Sequence, residues 1–93
     1  MVSRETFTGA LEREGDYELL TFQDLDLSGQ DATSSRFLDC ALNRCRLDDV
    51  RLVDAHLIET TITEAHGITV EIADATWRDV TLTDCRLGVV RAH

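Results

Sequence analysis

The stretch Phe37-Leu38-Asp39-Cys40-Ala41-Leu42-Asn43-Arg44-Cys45-Arg46-Leu47-Asp48-Asp49-Val50-Arg51-Leu52-Val53-Asp54-Ala55-His56-Leu57 decides the fold. A large apolar residue returns at every fifth position, at Phe37, Leu42, Leu47, Leu52 and Leu57. The residue two before each is small: Ser35, Cys40, Cys45, Val50 and Ala55. The same phase extends in both directions, through Phe22, Leu27 and Ala32 on one side and Ile62, Gly67, Ile72, Trp77, Leu82 and Leu87 on the other. Twelve of these fourteen centres are large and apolar, so the register is expected to run from 20 to the end without a slip. The small positions continue through Thr60, Ala65, Val70, Ala75, Val80, Cys85 and Val90. The residue just before a centre is apolar only once, at Ala41.

A period of five is neither the two of a strand nor the 3.6 of a helix. On an α-helix each step of five rotates by roughly 140° and spreads the large residues over all sides. On a flat strand, successive centres fall on opposite faces because five is odd. The chain must therefore turn once per repeat. Two inward positions per five residues, one large and one small, describe a coil with a corner in every repeat, and four corners close a turn of twenty residues.

With Cys45-Arg46-Leu47-Asp48-Asp49, Ala55-His56-Leu57-Ile58-Glu59 and Val80-Thr81-Leu82-Thr83-Asp84, the chain resembles the pentapeptide-repeat family, whose consensus is roughly Ala-Asp/Asn-Leu-x-x. The resemblance covers about residues 20–93. It implies an all-β fold, a right-handed quadrilateral β-helix of about three and a half coils, in which each coil contacts only its neighbours. The centres then sort into four ladders. Phe22, Leu42, Ile62 and Leu82 form one, and Leu27, Leu47, Gly67 and Leu87 the next. Ala32, Leu52 and Ile72 form the third, and Phe37, Leu57 and Trp77 the fourth.

Departures from the pattern locate weak points. Gln30 and Ala32 underfill one corner near the N-terminal end. Gly67 leaves a gap between Leu47 and Leu87, met by a bend of the backbone or by Ile68 turning inward. Residues 1–19 lack the repeat and are expected to be a capping segment, with Thr6 to Tyr17 over the first coil and Phe7 and Leu11 packing down. At the other end, Val90-Arg91-Ala92-His93 opens a fifteenth repeat that stops. An uncapped coil end invites edge-to-edge association. The expectation is a homodimer through the C-terminal coil, or a chain that continues further.

No catalytic or metal constellation stands out. Cys40 and Cys45 hold the small inward position, where a thiol packs as a small apolar group. Cys85 lies too far along the stack for a disulfide. His56 and His66 precede centres and point outward, and a zinc site needs three or four converging ligands. No nucleophile–base pair, phosphate-cradling Gly loop or HExxH motif is present, so neither an enzyme nor a cofactor is expected. The acids are more informative: the residue two after each centre is acidic in nine of fourteen repeats. Sorted by corner, Asp39, Glu59 and Asp79 stack in one column, and Asp54 and Asp74 in the next, each about 5 Å from its neighbour. Asp31, Arg51, Glu71 and Arg91 alternate in sign and should favour stacking. Leu38 and Ile58 follow their centres one coil apart, with Val53 on the neighbouring face, as apolar residues where exposure is expected.

Composition bounds the function. The 93 residues suit one domain. The net charge of −9 argues against direct binding of nucleic acid, which needs a basic surface. No apolar run is long enough to span a membrane. Met1-Val2-Ser3-Arg4-Glu5 is not a secretory signal, and three cysteines without one fit a reducing cytoplasm. All nine basic residues are Arg, which fits the coding bias of a high-GC bacterium. The expected function is a non-catalytic solenoid that binds a protein partner. The alternative comes from the resemblance: some family members mimic DNA, bind a type II topoisomerase such as DNA gyrase, and protect it against quinolones or peptide toxins.

Overall fold

A computed structural model describes residues 5–90, all-β and without a helix. Parallel strands stack into a β-solenoid of about four turns. The corners come every five residues. Fourteen non-glycine residues, from Glu14 to Asp84, and Gly29 have left-handed backbone conformations, with φ between 52° and 74°. All but Glu14, which precedes the repeats, stand two positions after Tyr17 or a centre. At each corner from Glu14 to Glu64 the residue's N–H donates to a carbonyl one coil further on. Asp39 donates to Ile58 at 3.0 Å, Asp54 to Ala73 at 2.8 Å and Glu59 to Arg78 at 2.9 Å. At two of the four corners a further main-chain bond closes the turn, as from Val50 N–H to the Leu47 carbonyl at 3.2 Å and from Ala55 N–H to the Leu52 carbonyl at 3.2 Å.

Between corners the chain is extended. One sheet stacks β1 (Glu5–Thr6), β3 (Leu20–Gln23), β5 (Ala41–Asn43), β7 (Thr61–Thr63) and β10 (Thr81–Thr83) in that order. A second stacks β2 (Asp16–Glu18), β4 (Arg36–Leu38), β6 (His56–Ile58) and β9 (Thr76–Arg78), and a third pairs β8 (His66–Glu71) with β11 (Arg86–Val90). Single bridges Asp31↔Arg51 and Arg51↔Glu71 mark the fourth side. The register is twenty residues: Phe22 pairs with Leu42, Leu42 with Ile62, and Ile62 with Leu82. Tyr17, Phe37, Leu57 and Trp77 do the same. The bridges beside Leu27, Leu47, Ala32 and Leu52, with Leu87 on Gly67, put the other two expected ladders in the same register.

The two inward positions per repeat build the core. Phe22, Leu27, Phe37, Leu42, Leu47, Leu52, Leu57 and Ile62 are buried. The small positions from Ser35 to Val70 are buried beside them. A hydroxyl or thiol at a small position also has a hydrogen-bonding role. Cys45 Sγ donates to the Phe22 carbonyl at 3.3 Å, Thr60 Oγ1 to the Phe37 carbonyl at 3.3 Å and Ser35 Oγ to the Glu12 carbonyl at 2.7 Å, each reaching back one coil. Ile72, Trp77 and Leu87 are only partly buried. Leu82 differs from the expected core: it is 50% exposed, because among the described residues nothing stacks on the last rung of its ladder.

Of the two outcomes expected at Gly67 the structure takes the first, a shift of the backbone. At Gly67 there is no gap. A Cβ built there lies 2.9 Å from Val70 Cγ2 and 3.0 Å from the Leu47 carbonyl oxygen, so the backbone has moved in to occupy the space a side chain would take. Ile68 does not turn inward; it is 73% exposed. The register does slip once. After Arg86↔His66 and Leu87↔Gly67 the partners become Val89↔Val70 and Val90↔Glu71. β8 spends an extra residue on the left-handed corner at Thr69, and β11 passes with one fewer. Val89, not Val90, therefore takes the rung over Val70, and Arg91 lies outside the described residues.

At the N-terminal end, Gln30 is not a defect. Its Oε1 accepts the Leu11 N–H at 2.6 Å, tying the segment before the repeats to the coil, and Leu11 is buried in the same core cluster as Ala32. Tyr17 accepts the Glu12 N–H at 2.8 Å and stacks on Phe37 with ring centroids 4.8 Å apart. Glu5 and Thr6 pair with Leu20 and Thr21, a spacing of fifteen residues instead of twenty. The chain thus omits one side and lays Phe7 over Phe22, with centroids 4.6 Å apart. Gly9, at φ 134°, allows the turn that follows.

Two substitutions test the Gly67–Val70 corner. Gly67→Ala should cost about 1–3 kcal/mol by overpacking, rather than fill a void. Thr69 is a β-branched residue at φ 60°. Thr69→Asn should stabilise by about 1 kcal/mol, since Asn tolerates the left-handed region. Urea unfolding of the three proteins would measure both.

Candidate interaction face

The side of the solenoid centred on Tyr17, Phe37, Leu57 and Trp77 brings most of the singled-out residues together. Strand alternation sends the centres inward and their neighbours outward. The outer surface therefore carries two columns: Asp16, Arg36, His56 and Thr76 before the centres, and Glu18, Leu38, Ile58 and Arg78 after them. Leu38 and Ile58 are Cα partners on adjacent coils and both are half-buried. Glu18 pairs with Leu38 on one side, and Arg78 with Ile58 on the other. Val53 is half-buried around the corner.

An acidic column borders this face on each side. One carries Asp39, Glu59 and Asp79, in rung order because the Asp39 N–H bonds to Ile58 and the Glu59 N–H to Arg78. Glu59 and Asp79 are exposed, and Asp39 is half-buried. The other carries Asp54 and Asp74, both exposed, with Ser34 Oγ donating to Asp54 Oδ2 at 3.3 Å. All five stand at left-handed corners, with φ of 52–57°. Asp populates that conformation more readily than most residues, so part of the acid enrichment has a backbone cause. The acid-free corners Leu19, Gly29, Ser34, Arg44 and Thr69 show that the corner does not demand an acid.

Elsewhere acids also outnumber arginines, but several of them are paired. Arg51 Nε lies 3.4 Å from Glu71 Oε2, Arg13 approaches Asp31 at 3.9 Å, and Arg44 Nε reaches Asp24 at 3.0 Å. Hydrogen bonds from Thr33 to the Asp31 carboxylate are the main cause that holds it below its ordinary pKa. Among the described residues no three His, Cys, Asp or Glu side chains converge as metal ligands, and no helix is long and apolar enough to cross a membrane. No protein-family model matches the chain, and neither does any curated protein.

Arg36, Arg78 and Glu18 were not among the residues expected on this face. The signal was present: the same twenty-residue register that stacks Leu38 on Ile58, carried back to position 18 and on to 78, places all three.

The thiols give a direct check on the inward positions. Burial is the main cause that pushes the Cys45 thiol above its ordinary value of 9.0, and it likewise raises the Tyr17 phenol. A raised acid ionises first in the unfolded chain. These groups therefore support the fold fully below the ordinary value, and that support is lost as pH rises toward the raised one. At neutral pH a disulfide reagent should titrate Cys85 rapidly, and Cys40 and Cys45 only upon unfolding. The fraction unfolded should increase above pH 9.0.

Proposed function

We propose that the chain is a non-catalytic protein-interaction solenoid of the pentapeptide-repeat type, and that it binds a protein partner through the Phe37 face. The observation that carries this reading is the pair Leu38 and Ile58, adjacent in register between two acidic columns. Half-buried apolar pairs at the surface, framed by charge, can form a partner site, with the apolar part supplying affinity and the charges orientation. The rigid spacing of the rungs favours a partner that is itself folded.

One observation favours a second reading, the DNA mimic bound to a type II topoisomerase. The columns Asp39–Glu59–Asp79 and Asp54–Asp74 present carboxylates at coil spacing, about 4.8 Å. Arg36 and Arg78 weigh against it, because they put positive charge inside the stripe. Self-association through the C-terminal coil is part of both readings. Leu82 there is half-exposed and lines an open hollow of about 390 Å³ with Ile72, Trp77, Cys85 and Leu87.

The test places a photo-crosslinking residue at position 38, at 58, or at 68 as a control on the opposite side. In cells of the native source, positions 38 and 58 should yield one discrete adduct that position 68 does not. Equal labelling from all three, or none, would remove the face from consideration. A gyrase supercoiling assay separates the second reading. Inhibition that is lost in Asp39→Asn/Glu59→Gln/Asp79→Asn and weakens steeply with salt would favour the mimic.

A further inference from the structure

We infer that the N-terminal edge of the solenoid is a docking site for the C-terminal coil of a second copy, held closed by residues 5–10 of the chain itself. The inference rests on the fold, and on the part of the proposed function that makes the C-terminal coil an association surface. It adds which surface of the second copy that coil would meet.

The blocking segment is out of step with everything it covers. Every other pairing up to Leu87 spans twenty residues, whereas β1 sits on β3 at fifteen. It fills the edge that a regular coil would use without continuing the regular pattern. Its hold is slight. Glu5 N–H donates to the Leu19 carbonyl at 3.0 Å and Phe7 N–H to Thr21 at 2.8 Å. Both β1 residues are exposed, and Phe7 supplies the ring that lies over Phe22 and meets Tyr17 edge-on at 5.5 Å.

The opposite end has what that edge would accept. Among the described residues β9, β10 and β11 are the last strands of their sheets, and no described strand pairs with their outer edges. Among the described residues Trp77 Nε1 is buried without an acceptor. If the twenty-residue register is carried from one copy to the next, Leu82 falls on Phe22, Trp77 on Tyr17 and Leu87 on Leu27 of the second copy. The outer columns are complementary in charge: Arg78 meets Glu18 and Arg86 meets Asp26. At one corner Asp84 meets Asp24, but Asp24 is already paired with Arg44 at 3.0 Å. Asp74 over Glu14 is the remaining repulsion. Such a contact is heterologous and its translation does not close, so it would propagate as a filament. An edge covered by a segment in the wrong register cannot template the next coil.

The experiment uses the full chain. Phe7→Pro removes both the ring over Phe22 and the N–H bonded to Thr21. Phe7→Ala removes the ring alone. Mass is followed by light scattering over a tenfold concentration range, alongside the far-UV circular dichroism spectrum. Wild type should keep one mass. Phe7→Pro should at least double in mass as concentration rises, with Phe7→Ala between the two. Adding Arg78→Glu and Arg86→Glu to Phe7→Pro should restore the wild-type mass. The inference fails if folded Phe7 variants keep the wild-type mass, if growth ignores the arginine reversals, or if wild type already grows. Loss of the β-sheet spectrum in both variants would also overturn it, since the segment would then be integral rather than removable. A constant dimer in wild type and variants would sink this inference and leave C-terminal dimerisation standing. A wild-type monomer with a growing variant would do the reverse.

Discussion

The structure depends on a backbone constraint: the chain must enter the left-handed region once in every five residues. An ordinary L-residue pays about 1–2 kcal/mol to be there. That cost is offset only if each corner is locked, and the lock is the corner N–H bonded to the next coil. The rest of the repeat serves the same geometry. The centre fills the interior between corners, the small residue lets the chain bend beside it, and the residue at the corner is drawn toward Asp. No single repeat could hold this shape alone, because its hydrogen bonds and its apolar contacts both lie in the coils above and below.

The ladders were legible because they depend on side-chain size at a fixed spacing, which composition at each position displays directly. Phe22 over Leu42 and Phe37 over Leu57 needed nothing more. Features that depend on how the backbone answers a local irregularity were not legible. Gly67 reads as a missing side chain, and only the approach of Leu47 and Val70 shows that the main chain has taken its place. The slip at β11 has no marker in residue type, since Val89 and Val90 are the same residue. Gln30 breaks the small-residue rule for a reason that lies nineteen positions away, at the Leu11 N–H. The fifteen-residue offset of β1 is likewise a tertiary fact, because nothing local to Glu5 or Thr6 specifies which strand they pair with.

The candidate face was half legible for a related reason. Asp39, Glu59, Asp79, Asp54 and Asp74 stand out by repetition, yet repetition is what a corner preference would produce without any partner. Leu38 and Ile58 carry more information because no corner or core requirement asks for them. Arg36 and Arg78 temper the charge of the stripe, and they become visible only when the register is carried over the full height of the stack. The acids alone are therefore a poor guide, and the mixed surface is a better one.

The aromatic residues are distributed unevenly along the stack, and this bears on how the chain acquires its shape. Phe7, Tyr17, Phe22 and Phe37 meet edge-on, tilted or stacked within the first two coils, with centroids 4.6–5.9 Å apart. The last coil holds Trp77 and half-buried aliphatics. During synthesis the aromatic end leaves the ribosome first, and domains generally begin to fold from that end. Each later coil then finds a finished rung with open hydrogen bonds to settle on. In a protein whose contacts are almost all to the neighbouring coil, order of emergence and order of assembly become the same sequence of events. Nucleation is needed once, at the end where the rings are.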